Sequence, residues 1–354
     1  MEEQFIGCDG HKQYSVFVIV KRGENQGVVE RVMNERSAIR EYLGGLPAGS
    51  GIALEAGGTY YWLVQEIERA GHQPHLAHPL DCRRRMGSKK KTDVIDATEL
   101  GKMLRDGTLP EVWIPPAELR DVRELLRLRM FLAHSARTRI KNRIQGVLAQ
   151  HNVRPQQVQD VFTVRGRAEL ERRYGELPTE TGASVKQQLA ILDFIEGQIG
   201  TAERRLQEQM QLTPEALLLD TMPCVGPILS MVMALEIGDV KRFPDAEHLA
   251  SYAGSVPTVK SSGGRTRLGG VSKEVNLTLK WAYVEAANLI AISQRRLAGS
   301  HVARLYQRIS RTKKHSIAVV AVARHLAEAS YWILTKREGY REPKVPAKVS
   351  STHG

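Results

Sequence analysis

Phe5-Ile6-Gly7-Cys8-Asp9 is a short apolar run that stops on a carboxylate. Runs of this kind, bounded by turn residues, read as β-strands. Two more follow, Ser15 to Val20 and Val28 to Val32, with Gly23-Glu24-Asn25-Gln26-Gly27 as the hairpin turn between them. Glu35 to Leu43 then changes to a helical period. Gly51-Ile52-Ala53-Leu54-Glu55 is a fourth strand, again stopping on a carboxylate. A helix from about Thr59 to Ala70, a fifth short strand from Pro74 to Ala77 and a helix from Thr92 to Arg105 complete the region.

Three strands, helix, strand, helix, strand, helix is the order of an RNase H or RuvC-like α/β fold. In such a sheet the first and fourth strands are neighbours, so Asp9 and Glu55 point to one edge. Asp93 and Asp96, in Lys91-Thr92-Asp93-Val94-Ile95-Asp96-Ala97, are spaced i,i+3 and share a helix face. Clustered carboxylates repel: one like-charged pair at roughly 4 Å costs about 4 kcal/mol at an effective dielectric of about 20. A divalent cation relieves this, and hard oxygen ligands favour Mg²⁺ or Mn²⁺ over zinc. Two such ions can activate an attacking oxygen and stabilise the leaving oxygen of a phosphodiester. Singly each acid also has a structural reading. Asp93 suits a helix N-terminus capped by Thr92, and Asp9 can start a turn. Their joint spacing favours the metal site.

The chain has 354 residues, enough for two domains or more, and carries 51 Lys+Arg against 39 Asp+Glu, a net charge of +12. That surplus suits a polyanion, and nucleic acid foremost. No run of 18 apolar residues occurs, so no membrane span is expected. Met1-Glu2-Glu3-Gln4 lacks the pattern of a signal peptide. Cys8, Cys82 and Cys224 are widely spaced and odd in number, which argues against a zinc site or a disulfide scaffold and for a reducing cytoplasm.

Pro115-Pro116 marks a boundary. Beyond it the spacing predicts one long helix from Ala117 to Gln150, with Leu119, Val122, Leu126, Met130, Ala133, Ile140, Ile144 and Val147 on its apolar stripe. Between residues 118 and 143 stand eight cations against three acids. Arg120, Arg123, Arg127, Arg137 and Lys141 among them are expected to track a phosphate backbone. A second long helix, Ser184 to Met210, has near-heptad apolar spacing. An antiparallel pair or a coiled-coil dimer would bury both stripes.

From Thr213 the chain is helical again. Met222-Pro223-Cys224-Val225-Gly226-Pro227 reads as the turn of a helix-hairpin-helix, or as an ordinary helical corner. Residues 254–273 read as a flexible basic loop, with Lys260, Arg265, Arg267 and Lys273 around Ser261 and Ser262. Glycines there permit close approach to a phosphate. A serine that attacks DNA would keep the phosphodiester energy in a covalent bond, which a plain hydrolase does not need.

Ile6-Gly7-Cys8-Asp9, Ala53-Leu54-Glu55-Ala56-Gly57-Gly58-Thr59-Tyr60 and Lys91 to Ala97 together resemble the DEDD transposases of bacterial insertion sequences, the bridge-RNA-guided recombinases, whose relatives include the Piv-type DNA invertases. Pro223-Cys224-Val225-Gly226-Pro227 is similar to that family's Pro-Gly-Ile-Gly turn, with Cys224 where glycine is usual. Arg242-Phe243, Leu249 to Gly254, Pro257 and Ser262-Gly263-Gly264 continue the likeness in the same order, which spans roughly residues 4–335. Gly10-His11 is unusual after the first acid, and leaves the role of His11 open.

The resemblance implies four regions: a RuvC-like catalytic domain over 1–115, a coiled-coil region of long helices over 116–212, a mainly helical C-terminal transposase domain over 213–340, and a disordered tail over 341–354. It implies Mg²⁺ or Mn²⁺ on Asp9, Glu55, Asp93 and Asp96. It implies a serine nucleophile, for which the spacing from Pro257 favours Ser262 over Ser261. Its partners would be donor and target DNA, a structured non-coding guide RNA and further copies of the chain in a dimer or tetramer, with no membrane. Its setting would be the bacterial cytoplasm at the nucleoid. Three other readings stay open: a Piv-like invertase without guide RNA, a RuvC-like junction nuclease, and a non-catalytic nucleic-acid scaffold.

Overall fold

The computed structural model describes residues 4–86, 92–154, 158–211, 213–262, 265–271 and 275–343; for 258–262, 265–268 and 271 it describes the backbone alone. The chain divides into two compact units, Met1–Ala117 and Glu118–Gly354.

The first unit is a mixed sheet with helices on both faces. Its strands are β1 (Gln4–Gly10), β2 (Tyr14–Lys21), β3 (Val28–Met33), β4 (Gly51–Glu55) and β5 (Gln73–Ala77), in the order β3-β2-β1-β4-β5. β1 runs antiparallel to β2 and parallel to β4, and β4 runs parallel to β5. All five strands were legible in the sequence to within a residue or two. The helices are α1 (Arg36–Gly44), α2 (Tyr60–Arg69), α3 (Pro79–Met86), which no periodicity announced, and α4 (Asp93–Arg105).

Strand alternation divides the core in two. Ile6, Cys8, Phe17, Ile52, Leu54 and Leu76 pack against Ile39 and Leu43 of α1 and Leu63, Val64 and Ile67 of α2. On the opposite face Val16, Val18 and Val20 meet Ala97 of α4, and Ala53 and Ala77 meet Cys82, Leu100 and Met103. α1 and α2 are also tied by charge. Glu66, fully buried on α2, is bound by Arg40 at 2.6 Å, by Arg36 and by Arg69 at 3.1 Å. The Arg40 hydrogen bond, backed by Arg36, holds the Glu66 carboxyl down at about 2.

The second unit opens with α5 (Ala117–Met130), a π-helical turn at Phe131–Ala136 and α6 (Arg137–Gln150). The single helix expected there is thus interrupted, and a wider turn rotates the stripe that follows it. After α7 (Val164–Arg172) comes the 33-residue α8 (Thr179–Gln211). Its stripe packs back on α5 and α6 in reverse order. Leu206 and Met210 share a cluster with Leu126, Ile195 and Ile199 one with Ala133, and Val185 and Leu189 one with Ile144 and Leu148. The stripes are therefore buried as an antiparallel pair within the chain.

The remaining helices are α9 (Pro214–Asp220), α10 (Pro227–Ile237), α11 (Ala246–Tyr252), α12 (Leu277–Ile292), α13 (His301–Ser310) and α14 (His315–Lys336). They share one core with Leu126, Leu206 and Met210, so long helices and C-terminal helices are continuous in packing. α14 has the length and mean hydropathy of a membrane-crossing helix. Val319, Val322, Ala323, Leu326, Ala327, Ile333 and Leu334 nonetheless bury into that core.

Residues 254–273 are not the loop expected. They hold a hairpin of β6 (Pro257–Ser262) and β7 (Arg265–Val271), paired antiparallel with Ser262 opposite Arg265. Alternating residues around Gly263-Gly264 carry the ordinary signal of a two-residue hairpin turn, outweighed in the sequence by glycine and serine content. Gly263, Gly264 and Lys273 lie outside the described residues, as does the expected tail beyond 343.

Candidate metal centre and nucleic-acid surface

The site begins with a missing side chain. A Cβ on Gly7 would stand 1.8 Å from the Ala97 carbonyl oxygen and 2.6 Å from the Gly101 nitrogen, both backbone atoms of α4. Only glycine lets helix and strand approach so closely. Asp9, two residues on, lies on the same face of β1, opposite Val16, which packs against Ala97. The close approach at Gly7 thus sets the first turn of α4 beside Asp9. Thr92 caps that helix by accepting from the Ile95 backbone N–H at 3.3 Å. Asp93 and Asp96 occupy its first turn, where the helix dipole favours negative charge.

Asp9 and Asp93 come together, and His11 joins them. His11 Nε2 is 3.2 Å from Asp9 Oδ2 and 3.2 Å from Asp93 Oδ2. One ligand atom from each of the three lies within 4.8 Å of the others, and all three residues are partly buried. The Tyr14 hydroxyl donates to Asp93 Oδ2 at 2.9 Å. This bond, with the neighbouring His11 ring, holds the Asp93 carboxyl below its ordinary range against the opposing effect of burial. The Arg31 guanidinium covers the Tyr14 ring at 3.6 Å. Beneath the site, burial and the charge of Asp9 push the Cys8 thiol far up, so it stays protonated.

Glu55 and Asp96 lie outside that three-residue group. Cys8 pairs with Leu54, so Glu55 follows in register beside Asp9, on the same sheet face and one strand spacing of about 4.8 Å away. Burial, then the charge of Glu55, raises the Cys82 thiol to about 12. Asp96 lies one turn along α4 from Asp93. Two carboxylates and an imidazole form a donor set suited to a divalent ion, and the two further acids stand next to it. His11 and Tyr14 were not assigned from the sequence. Their one signal was position, at the β1–β2 turn immediately after Asp9.

The basic face expected on the long helices needs correction. Arg120 and Arg123 are 4% and 6% exposed. Arg123 donates through Nε at 2.9 Å and Nη2 at 2.5 Å to the Leu235 carbonyl oxygen, and its Nη2 lies 3.7 Å from Glu236. Both arginines lie on the core side of α5, three and six residues before Leu126, so they are structural and unavailable to phosphate. Arg137 pairs with Glu196 at 3.4 Å and Lys141 with the same carboxylate at 3.7 Å. Arg127 is exposed. A cationic surface that went unnoticed lies in residues 286–327, with eight Lys or Arg and no Asp or Glu. Arg304, Arg308, Arg311, Lys313 and Lys314 are all exposed along α13 and the turn after it.

Residues 6–153 match the model of DEDD transposases of IS110-type elements, and residues 216–304 match that of the IS116/IS110/IS902 transposase family. The chain belongs to this transposase family. Among its relatives, a probable family 20 transposase of Pseudomonas aeruginosa is 25% identical over 95% of this chain and 98% of its own length. The transposase of insertion sequence element IS1111A from Coxiella burnetii is 24% identical over 82% of this chain and 79% of its own. That of IS1328 from Yersinia enterocolitica is 23% identical over 80% and 83%. The first family match takes in β1 to α6 and with them Asp9, Glu55, Asp93 and Asp96; the second takes in α9 to α13 and the hairpin with Ser262.

Proposed function

We propose that this insertion-sequence transposase exchanges DNA strands through a covalent serine intermediate, and that Asp9, Glu55, Asp93 and Asp96 hold the divalent ions the reaction uses. The observation that carries the reading is the convergence of Asp9 and Asp93, brought about by the close packing of α4 on β1 at Gly7. Mg²⁺ or Mn²⁺ bound there would withdraw charge from the phosphoryl oxygens and favour the ionised nucleophile.

Ser262 is the proposed nucleophile. The hairpin register places positions 260 and 262 of β6 opposite 267 and 265 of β7, so Lys260, Ser262, Arg265 and Arg267 occupy one face. Positions 259, 261, 266 and 268 occupy the other, which sets Ser261 apart from the cations. In the proposed step the Ser262 hydroxyl oxygen bonds to phosphorus as the phosphorus–oxygen bond to one DNA strand breaks. The serine proton passes to solvent, and the departing strand takes a proton from solvent and leaves as a hydroxyl. A hydroxyl from the partner strand then expels the serine, which regains a proton. One ester replaces another at each stage, so no ATP is consumed. Lys260, Arg265 and Arg267 neutralise the phosphate during both stages.

The cationic stretch on α13, with Arg127, is the proposed surface for nucleic-acid backbones. Delegation of site choice to a structured RNA, assembly as a dimer or tetramer, and a RuvC-like assignment of the first unit belong to the same reading. In the test, protein purified with its element's flanking DNA is incubated with labelled donor and target and denatured. A covalent protein–DNA adduct is expected in wild type and in Ser261→Ala, and is expected to be lost in Ser262→Ala. An adduct that survives Ser262→Ala overturns the serine assignment. Cleavage to free ends with no adduct in any variant favours the junction nuclease. Sequencing of the co-purified RNA separates the guided enzyme from an invertase without RNA.

A further inference from the structure

His11 has no task in the reading above, yet it is held on several sides. Its backbone N–H donates to the Tyr14 carbonyl oxygen at 3.0 Å, and its own carbonyl oxygen accepts from Asn34 Nδ2 at 2.6 Å. Asn34 Oδ1 in turn accepts from the Ser15 hydroxyl at 2.8 Å. The ring rests against Tyr14, with centroids 5.0 Å apart. Tyr14 meanwhile holds the Asp93 carboxylate by the same edge. A residue that only closed a strand turn would not need its ring held in this way.

The ring's outer nitrogen is also aimed where a ligand would be. Nε2 is inaccessible to solvent and makes no well-aligned hydrogen bond, although two carboxylate oxygens stand 3.2 Å from it. A buried nitrogen that faces two carboxylate oxygens without an aligned hydrogen bond stands where a cation between the three atoms would satisfy all of them.

We infer that His11 is a nitrogen ligand of the divalent ion held by Asp9 and Asp93, and that it biases the centre towards Mn²⁺ over Mg²⁺. The inference rests on the metal reading proposed above. Carboxylate and water suit Mg²⁺, which dehydrates reluctantly, whereas imidazole is a ligand for transition ions. One nitrogen among oxygens therefore strengthens Mn²⁺ binding more than Mg²⁺ binding. The Tyr14 contacts fix ring and carboxylate in advance, as partners of metal ligands commonly do.

The test uses the full-length protein without nucleic acid, and Mn²⁺ as the probe. Electron paramagnetic resonance counts bound Mn²⁺, and its spin-echo modulation detects a coordinated ¹⁴N. Wild type is expected to show one ¹⁴N coupling that disappears in His11→Ala and His11→Gln. Loss of a ligand costs at least what loss of a supporting partner does, so Mn²⁺ affinity falls at least roughly tenfold. Mg²⁺ affinity, read by competition, changes much less. Bound Mn²⁺ without a ¹⁴N coupling, or a coupling that persists in both variants, overturns the role of His11 and leaves the metal centre standing. Absence of Mn²⁺ binding to wild type, or binding unchanged in Asp9→Asn with Asp93→Asn, overturns the metal centre and this inference with it.

Discussion

Replacing Gly7 by alanine should separate the two halves of the proposed metal centre without touching any of its ligands. The added Cβ would stand 1.8 Å from the Ala97 carbonyl oxygen, and that oxygen is backbone, so no side-chain rotation relieves the clash. A tolerable carbon–oxygen contact is roughly 3.3 Å, so α4 must retreat by about 1.5 Å. Asp93 travels with it, while Asp9 and His11 stay on the strand side. The 3.2 Å contact between His11 and Asp93 then opens towards about 4.7 Å, past the roughly 4.2 Å that two ligand atoms at about 2.1 Å from one ion can span. Overpacking of this kind costs about 1–3 kcal/mol, and a misplacement of about 1 Å can cost roughly a hundredfold in rate. Gly101→Ala is the internal control, because its nearest contacts are 3.0 Å to a Val20 methyl and 3.2 Å to the Gly7 nitrogen and need only a small shift. Hydrogen exchange of peptides covering 93–105 reads the packing, Mn²⁺ titration reads the centre, and strand-exchange rate reads function. Gly7→Ala with native exchange rates, native Mn²⁺ affinity and native activity would refute the account of how α4 is placed.

Cys224 adopts φ of +58°, a left-handed conformation that costs a non-glycine residue roughly 1–2 kcal/mol. Cys224→Gly should therefore raise stability by about 1 kcal/mol, read as a higher thermal midpoint; an unchanged or lower midpoint contradicts the strain. Arg123→Ala strands the Leu235 carbonyl and Glu236 in the core and should destabilise by about 3 kcal/mol, with nucleic-acid affinity per folded molecule preserved in filter binding. Arg308→Ala with Arg311→Ala should do the opposite, leaving the melting curve in place while the slope of log affinity against log salt falls by about 1 per residue. Glu66 has a folded value of about 2 against an ordinary 4.5, so its stabilisation is complete above the ordinary value and is lost as pH falls towards 2. Glu66→Gln should be less stable at pH 7, and its acid denaturation should lose that part of the slope between about pH 4.5 and 2.

Local pattern carried much of this protein. Period-two and period-3.6 alternation located the five strands and the long helices because each depends on neighbours in sequence. It also set Asp9 and Glu55 at adjacent strand ends and Asp93 and Asp96 on one helix turn. Cys224, where the family resemblance led to an expectation of glycine, has a positive φ that gives the departure a physical cost. What sequence could not supply was the choice of partners. Arg120 and Arg123 read as surface because arginine usually is, yet both follow the same helical stripe as Leu126 and are buried, and Arg123 meets Leu235 and Glu236 more than a hundred residues away. His11 meets Asp93 as well as Asp9 because a bare glycine on β1 admits α4 to contact distance. The hairpin at 257–271 was hidden by its composition, and its register alone sets Ser262 with Lys260, Arg265 and Arg267 and apart from Ser261. Periodicity tells which face of an element is apolar. Which face meets which, and which charges are thereby paired or left to water, is decided only when distant elements pack.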